Sequence, residues 1–157
     1  MEYRIATLKD LEVLVKTRVE VLRAANKLDA ETNMSIVEKE SEKYYKKALS
    51  DNSHMAVLVM DKDKIAGAGG ISYYTVMPIY HNPSGQKAYV MNMYTAPEYR
   101  RQGIAYHTLD ILIQDAIKRG ITCITLEATE MGKPLYEKYG FISMESEMEF
   151  SGQILNK

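Results

Sequence analysis

Apolar residues recur along this chain first with the period of a helix, then with that of a strand, then in alternation between the two. After a short strand-like run, Tyr3-Arg4-Ile5-Ala6, the positions Leu8, Leu11, Leu14, Val15 and Leu22 share one helical face. Thr7 stands where a cap belongs, with Asp10 three residues later in the first turn. Residues 26–33 are polar and read as a connection. Ser35 is a second candidate cap, before a charged helix over residues 36–49. The loop Ser50-Asp51-Asn52-Ser53 then marks a change of period. Residues 55–60 form an unbroken apolar run, the signature of a buried strand. Asp61-Lys62-Asp63-Lys64 reads as a hairpin turn and residues 65–77 as the returning strand. Gly67, Gly69 and Gly70 fall inside that strand, as at a bulge or a close backbone approach. Pro83 and Gly85 mark the tip of a second turn over residues 78–86, and residues 88–95 form the next strand.

The second half alternates more cleanly. Leu109, Leu112, Ile113, Ala116 and Ile117 share one face of a helix over residues 104–119, which Gly120 ends. Residues 121–128 read as a strand, and residues 133–139 as a short helix stopped by Gly140. From Phe141 onward the pattern is again strand-like, with Met144, Met148 and Phe150 on one face. The order is strand, two helices, three strands, helix, strand, helix, strand. It predicts an α/β fold: a mixed sheet covered by helices, with a ligand cleft where strand and helix part. No repeat, linker or low-complexity tract interrupts residues 1–157, so a single domain is expected.

Composition narrows the function classes. The formal net charge is −1, so no global field favours nucleic acid or an anionic membrane, and neither is expected as a partner. Cys123 is the only cysteine, which excludes an intrachain disulfide and fits a reducing compartment. No apolar run approaches the roughly 18 residues that span a bilayer. Met1-Glu2-Tyr3-Arg4 lacks a signal-peptide pattern, so the sequence reads as cytoplasmic. His54, His81 and His107 lack metal-ligand spacing, and no metal is expected.

The densest chemical signal is Arg100-Arg101-Gln102-Gly103-Ile104-Ala105, between a strand and a helix. Glycine and alanine there leave backbone N–H groups uncovered at a helix start, where the dipole also favours an anion. Arg100 and Arg101 add full positive charge, so a phosphate-bearing ligand is expected. Together with Leu135-Tyr136-Glu137-Lys138-Tyr139-Gly140-Phe141 and the order of elements, this stretch resembles the GCN5-related N-acetyltransferase (GNAT) family. The resemblance covers nearly the whole chain and is strongest from Tyr94 to Phe141.

That resemblance implies a mixed, mostly antiparallel central sheet of six to seven strands flanked by about four helices. It implies an acetyl-CoA-dependent N-acetyltransferase, in which a primary amine of a small molecule or peptide attacks the thioester directly in a ternary complex. Arg101, Gln102, Gly103, Ile104 and Ala105 would hold the pyrophosphate, with Arg100 at the motif's first position. Met93, Tyr94 and Thr95 match a bulged strand segment that pairs with the pantetheine. Tyr136 is implied as the proton donor to the departing sulfur. Tyr139, one helical turn further, packs or lines the cofactor.

Thr129 stands where many members carry asparagine, and Gly132 where alanine is usual, which alters one contact to the cofactor arm. The glutamate that members often use as base is replaced by Tyr89, leaving Glu127 as the candidate carboxylate. Arg18, Tyr73, Tyr80 and His81 are candidates for the acceptor. Arg18 falls amid an apolar face, where it needs a partner: a substrate carboxylate, or an internal acid such as Glu42. Members are often homodimers. Two other readings stay open at this point: a non-catalytic acyl-CoA-binding sensor, and a mononucleotide-binding α/β protein.

Overall fold

A computed structural model describes residues 1–152 of the chain. Strands β1 (Glu2–Ile5), β2 (His54–Asp61), β3 (Lys64–Thr75), β4 (Gln86–Thr95) and β5 (Ile124–Leu126) form one sheet in the order β1-β2-β3-β4-β5. The first four are antiparallel neighbours, and β5 joins β4 in parallel. Helices α1 (Leu11–Ala25), α2 (Ser35–Ser50), α3 (Ile104–Lys118) and α4 (Lys133–Tyr139) flank it. The unbroken apolar run in β2 has a simple cause: both its faces are covered. Val57 and Val59 pack with Leu109, Leu112 and Ala116 of α3. Ala56 and Leu58 pack with Leu14 and Val15 of α1 and Tyr45 of α2.

Gly69 sets the distance between sheet and helix. A Cβ there would lie 2.7 Å from Thr108 Cγ2 and 2.8 Å from Met93 Sδ. A side chain there would have to displace those of Thr108 and Met93, which accounts for a glycine inside a strand.

Local chemistry explains the element ends. The Thr7 side chain accepts from the Lys9 N–H, and Asp10 Oδ2 accepts from the Thr7 N–H at 2.8 Å, closing a capping box on a 3-10 turn that leads into α1. Ser35 is not the cap of α2 but its first residue; Asn33 Oδ1 accepts from the Ser35 N–H at 2.9 Å. Gly120 (φ 75°) follows α3 and Gly140 (φ 126°) follows α4.

The sheet has five strands rather than six to seven. Residues 141–152 form no strand, and Met148 is 98% exposed, because β5 is only three residues long and offers no edge for them. The expected strand over residues 121–128 shortens at both ends. The Ile121 N–H bonds back to Ala116 O, finishing α3, and residues after Leu126 turn away from β4. Cys123 is therefore a half-buried residue before β5 rather than a buried strand residue. No helix among the described residues is long and apolar enough to cross a membrane.

Candidate active site

The site begins with a defect in β4. Gly70 pairs with Met91 and Ala68 with Tyr94, so Asn92 and Met93 together oppose Gly69. This is a β-bulge, and Asn92 takes a left-handed φ of 58° to make it. On the other side, the β4–β5 ladder ends at Val90 and Leu126. Residues 91–95 of β4 thus have no partner strand on that edge, while α4 diverges beyond it. The result is a cleft of about 850 Å³ between β4, α3, α4 and the C-terminal part of α1.

One end of the cleft is the turn before α3. Arg101 (φ 63°) and Gly103 (φ 79°) both adopt left-handed backbone. Among the described residues, the N–H groups from Arg101 to Tyr106 find no hydrogen-bond partner, and no side chain caps α3. A Cβ built on Gly103 meets nothing within 4 Å, so the turn faces open space. Arg100, Arg101, Gly103, Ile104 and Ala105 all line the cleft. Gln102 does not; its side chain folds back to Glu98 O at 3.5 Å, leaving only its N–H to contribute. The charged walls are Arg18, Arg100, Arg101 and Lys138 against Glu127 as the one carboxylate among the described residues, a surface suited to an anion.

The other end carries Tyr136. Its ring is buried, 9% exposed, against Phe141 at 6.0 Å between centroids. Its hydroxyl has no hydrogen-bond partner among the described residues, yet Tyr136 lines the cleft. Burial pushes its pKa up, so the phenol stays protonated at neutral pH. Met93, Tyr94 and Thr95 line the wall between, and Thr95 Oγ1 is a buried oxygen without a partner. Thr129 also lines the cleft, but its Oγ1 accepts from the Gly132 N–H at 3.1 Å and so closes the turn that leads into α4.

Several expected residues lie elsewhere. Tyr139 is not in the cleft; its hydroxyl donates to Asp110 Oδ1 at 2.7 Å, tying α4 to α3. Burial and that carboxylate push its pKa up to about 12. Tyr80, 92% exposed, and His81 meet edge to face at the loop tip and line neither this cleft nor the neighbouring cavity, a second space between α2 and strands β3 and β4. His107 is a packed histidine, edge-on to Tyr3 at 4.3 Å. Tyr73 does line the neighbouring cavity, yet its hydroxyl is committed to Asp115 Oδ2 at 2.6 Å, with the Arg119 guanidinium 3.8 Å above its ring. Arg18 is not paired with Glu42, which bonds Lys46 at 2.9 Å.

Sequence reasoning missed a polar cluster beside the cleft. The Tyr44 hydroxyl lies 3.0 Å from His54 Nδ1 and 2.6 Å from Ser72 Oγ. His54 is 4% exposed, its Nε2 has no partner, and burial, then the Arg18 charge, lowers its pKa to about 4. It also missed Asn92, though asparagine inside a strand is a usable sign of left-handed backbone.

The chain matches the model of the acetyltransferase (GNAT) domain over residues 21–155. Among solved structures it is similar to a predicted acetyltransferase from Clostridium acetobutylicum, crystallised with acetyl-CoA. The two are 31% identical, with a TM-score of 0.88 over 98% of this chain and 97% of that one. A GCN5-related N-acetyltransferase from Ralstonia eutropha JMP134 shares the fold at 24% identity, with a TM-score of 0.81 over 95% of this chain and 96% of that one. No curated protein matches the sequence.

Proposed function

Because this chain belongs to the GCN5-related N-acetyltransferase family and is an acyltransferase, we propose that it moves an acetyl group from acetyl-CoA to a primary amine in a ternary complex. The observation that supports this reading is the cleft itself. Unpaired N–H groups lie at one end, a strand edge without a neighbour runs along it, and a free phenol stands at the other end.

The residues present fit the donor. Backbone N–H groups of Arg101 to Ala105, with Arg100 and Arg101, would hold a diphosphate. The edge of residues 91–95 would meet an extended, amide-bearing arm as an added strand would. Acetyl-CoA supplies the acyl group as a thioester and a sulfur that leaves. Tyr136 delivers a proton to that sulfur from its protonated hydroxyl. Glu127, the carboxylate of the cleft wall, takes the proton from the incoming amine. The bulge at Asn92 and Met93 interrupts the ladder, and backbone N–H groups there would polarise the carbonyl oxygen where charge develops.

The test is thermal melting with acetyl-CoA, ATP or NAD, followed by thiol release across an amine panel with products identified by mass. Acetyl-CoA should raise the melting temperature by selective binding to the folded state. Stabilisation by ATP or NAD instead would sink the donor assignment.

A further inference from the structure

A second cavity of about 520 Å³ opens between α2 and strands β3 and β4, within the roughly 300–1,000 Å³ usual for small-ligand sites. Its walls are mostly aromatic and apolar: Val37, Tyr44 and Tyr45 from α2, Tyr73 and Tyr74 from β3, and Met91 from β4. Arg18, Met91 and Asn92 line both this cavity and the cleft, so the two spaces meet at the β4 bulge.

Arg18 stands at that junction with one bond, from its guanidinium to Asn92 Oδ1 at 3.2 Å. It takes part in none of the ion pairs formed among the described residues. A half-buried guanidinium without a carboxylate is unfavourable until an anion meets it. Its charge reaches into the cavity, adding to the effect of burial in lowering the pKa of His54. The other charged wall residue, Glu40, is exposed on α2 and does not line the cleft. The interior of the cavity therefore offers aromatic faces beside the polar groups of Ser53, His54 and Ser72, with one unmatched positive charge where it joins the cleft.

We propose that this cavity is the acceptor site and that the acceptor is a free α-amino acid with an aromatic or large apolar side chain, its carboxylate on Arg18. This rests on the acetyl-CoA reading above. In an α-amino acid the amine and the carboxylate share one carbon. A carboxylate held by Arg18 thus puts the amine at the bulge, facing the cleft, while the side chain lies among the tyrosines. A peptide amine has an amide at that position and leaves Arg18 unmatched. In the transfer, the amine nitrogen forms the new N–C bond and the thioester C–S bond breaks, its electron pair going to sulfur. The ammonium gives up two protons, one passing by way of Glu127 to solvent and one offsetting the proton that Tyr136 gives to the sulfur. The products are an N-acetyl amino acid and free CoA thiol.

The test compares phenylalanine, phenylalaninamide and phenethylamine as acceptors of the full chain at saturating acetyl-CoA. Thiol release and product mass are read, with the acetyl-CoA melting shift measured in parallel. Phenylalanine should exceed both carboxylate-free analogues by at least about tenfold in kcat/KM. Arg18→Gln should bring that ratio toward one. Equal or better turnover of the analogues overturns the proposal, as does an unchanged ratio in an Arg18→Gln protein that acetyl-CoA still stabilises. Stabilisation by acetyl-CoA without any N-acetylphenylalanine overturns it while leaving the donor reading intact. Absence of stabilisation by acetyl-CoA in the unaltered protein overturns both. The wild-type comparison stands whether or not the variant folds.

Discussion

The guanidinium of Arg18 on α1 donates at 3.2 Å to Oδ1 of Asn92, a residue 74 positions later whose φ of 58° creates the bulge in β4. One bond therefore ties a helix to the strand defect that opens the cleft. The two features are separable by substitution. Asn92→Gly keeps the left-handed backbone and removes the bond, whereas Asn92→Val removes the bond and forces a β-branched residue into a region it avoids. Asn92→Val should cost about 1–3 kcal/mol in denaturant unfolding, clearly more than Asn92→Gly. Equal losses would mean that the bond, and not the backbone, holds the bulge.

The His54 imidazole titrates in a pH window of its own. Burial first, and the Arg18 charge second, lower its pKa from 6.5 to about 4. The unfolded chain thus binds a proton between those values that the folded chain refuses, and stability rises with pH across the window. On acidification, stability should begin to fall near pH 6.5, and the full contribution, on the order of 3 kcal/mol, should be gone by about pH 4. Asp10 acts lower. Its burial is outweighed by hydrogen bonds from the Thr7 N–H and Arg4, and its contribution is lost only below its ordinary value of 3.8. Unfolding free energies of wild type and His54→Phe between pH 4 and 7 check this, and a slope surviving in the variant would assign the window to another group.

Much of the fold was legible because periodic patterns report burial, and burial is what the sheet and helices share. The helices α3 and α4 lie within a residue of their expected bounds, since glycine or a basic turn marks each end. The strand expected from Phe141 failed for a tertiary reason. Alternation at Met144, Met148 and Phe150 describes a chain able to form a strand, but three residues of β5 give it nothing to pair with. The turn of unpaired N–H groups was legible because backbone N–H exposure follows from glycine and helix start alone. The second cavity was not. Tyr44 and Tyr45 sit in a helix whose lysines and glutamates dominate its pattern, so its inward face reads as solvated surface. Tyr80 and His81 line neither space, and loop residues carry no periodicity that says which way they point.

Gly103→Glu should abolish the acetyl-CoA melting shift and leave the fold standing. The space around a Cβ at Gly103 is open, so bulk alone does not disturb packing. The φ of 79° costs a non-glycine residue about 1–2 kcal/mol, a modest loss of melting temperature. A carboxylate among the unpaired N–H groups, however, would take the place proposed for the diphosphate and repel it. Gly103→Ala supplies the control, carrying the same backbone strain without the charge. Retained acetyl-CoA stabilisation in Gly103→Glu would show that the turn holds no diphosphate.

Tyr136→Phe separates chemistry from binding. The ring stays, so its contact with Phe141 and its place in the core persist, and the hydroxyl lost has no hydrogen-bond partner among the described residues. Folding stability should therefore change little, and the acetyl-CoA melting shift should remain. Turnover should fall by about 10²–10⁴ if the phenol supplies the proton to the departing sulfur, since that is the usual contribution of a positioned acid. The loss should appear in kcat rather than in the KM for acetyl-CoA, because the interaction removed is one made as the sulfur leaves. A donor with a better leaving thiol should narrow the gap between the two proteins, as its sulfur needs the proton less. Unchanged turnover in Tyr136→Phe, or an equal deficit with both donors, would remove the phenol from the reaction and leave it as a wall of the cleft.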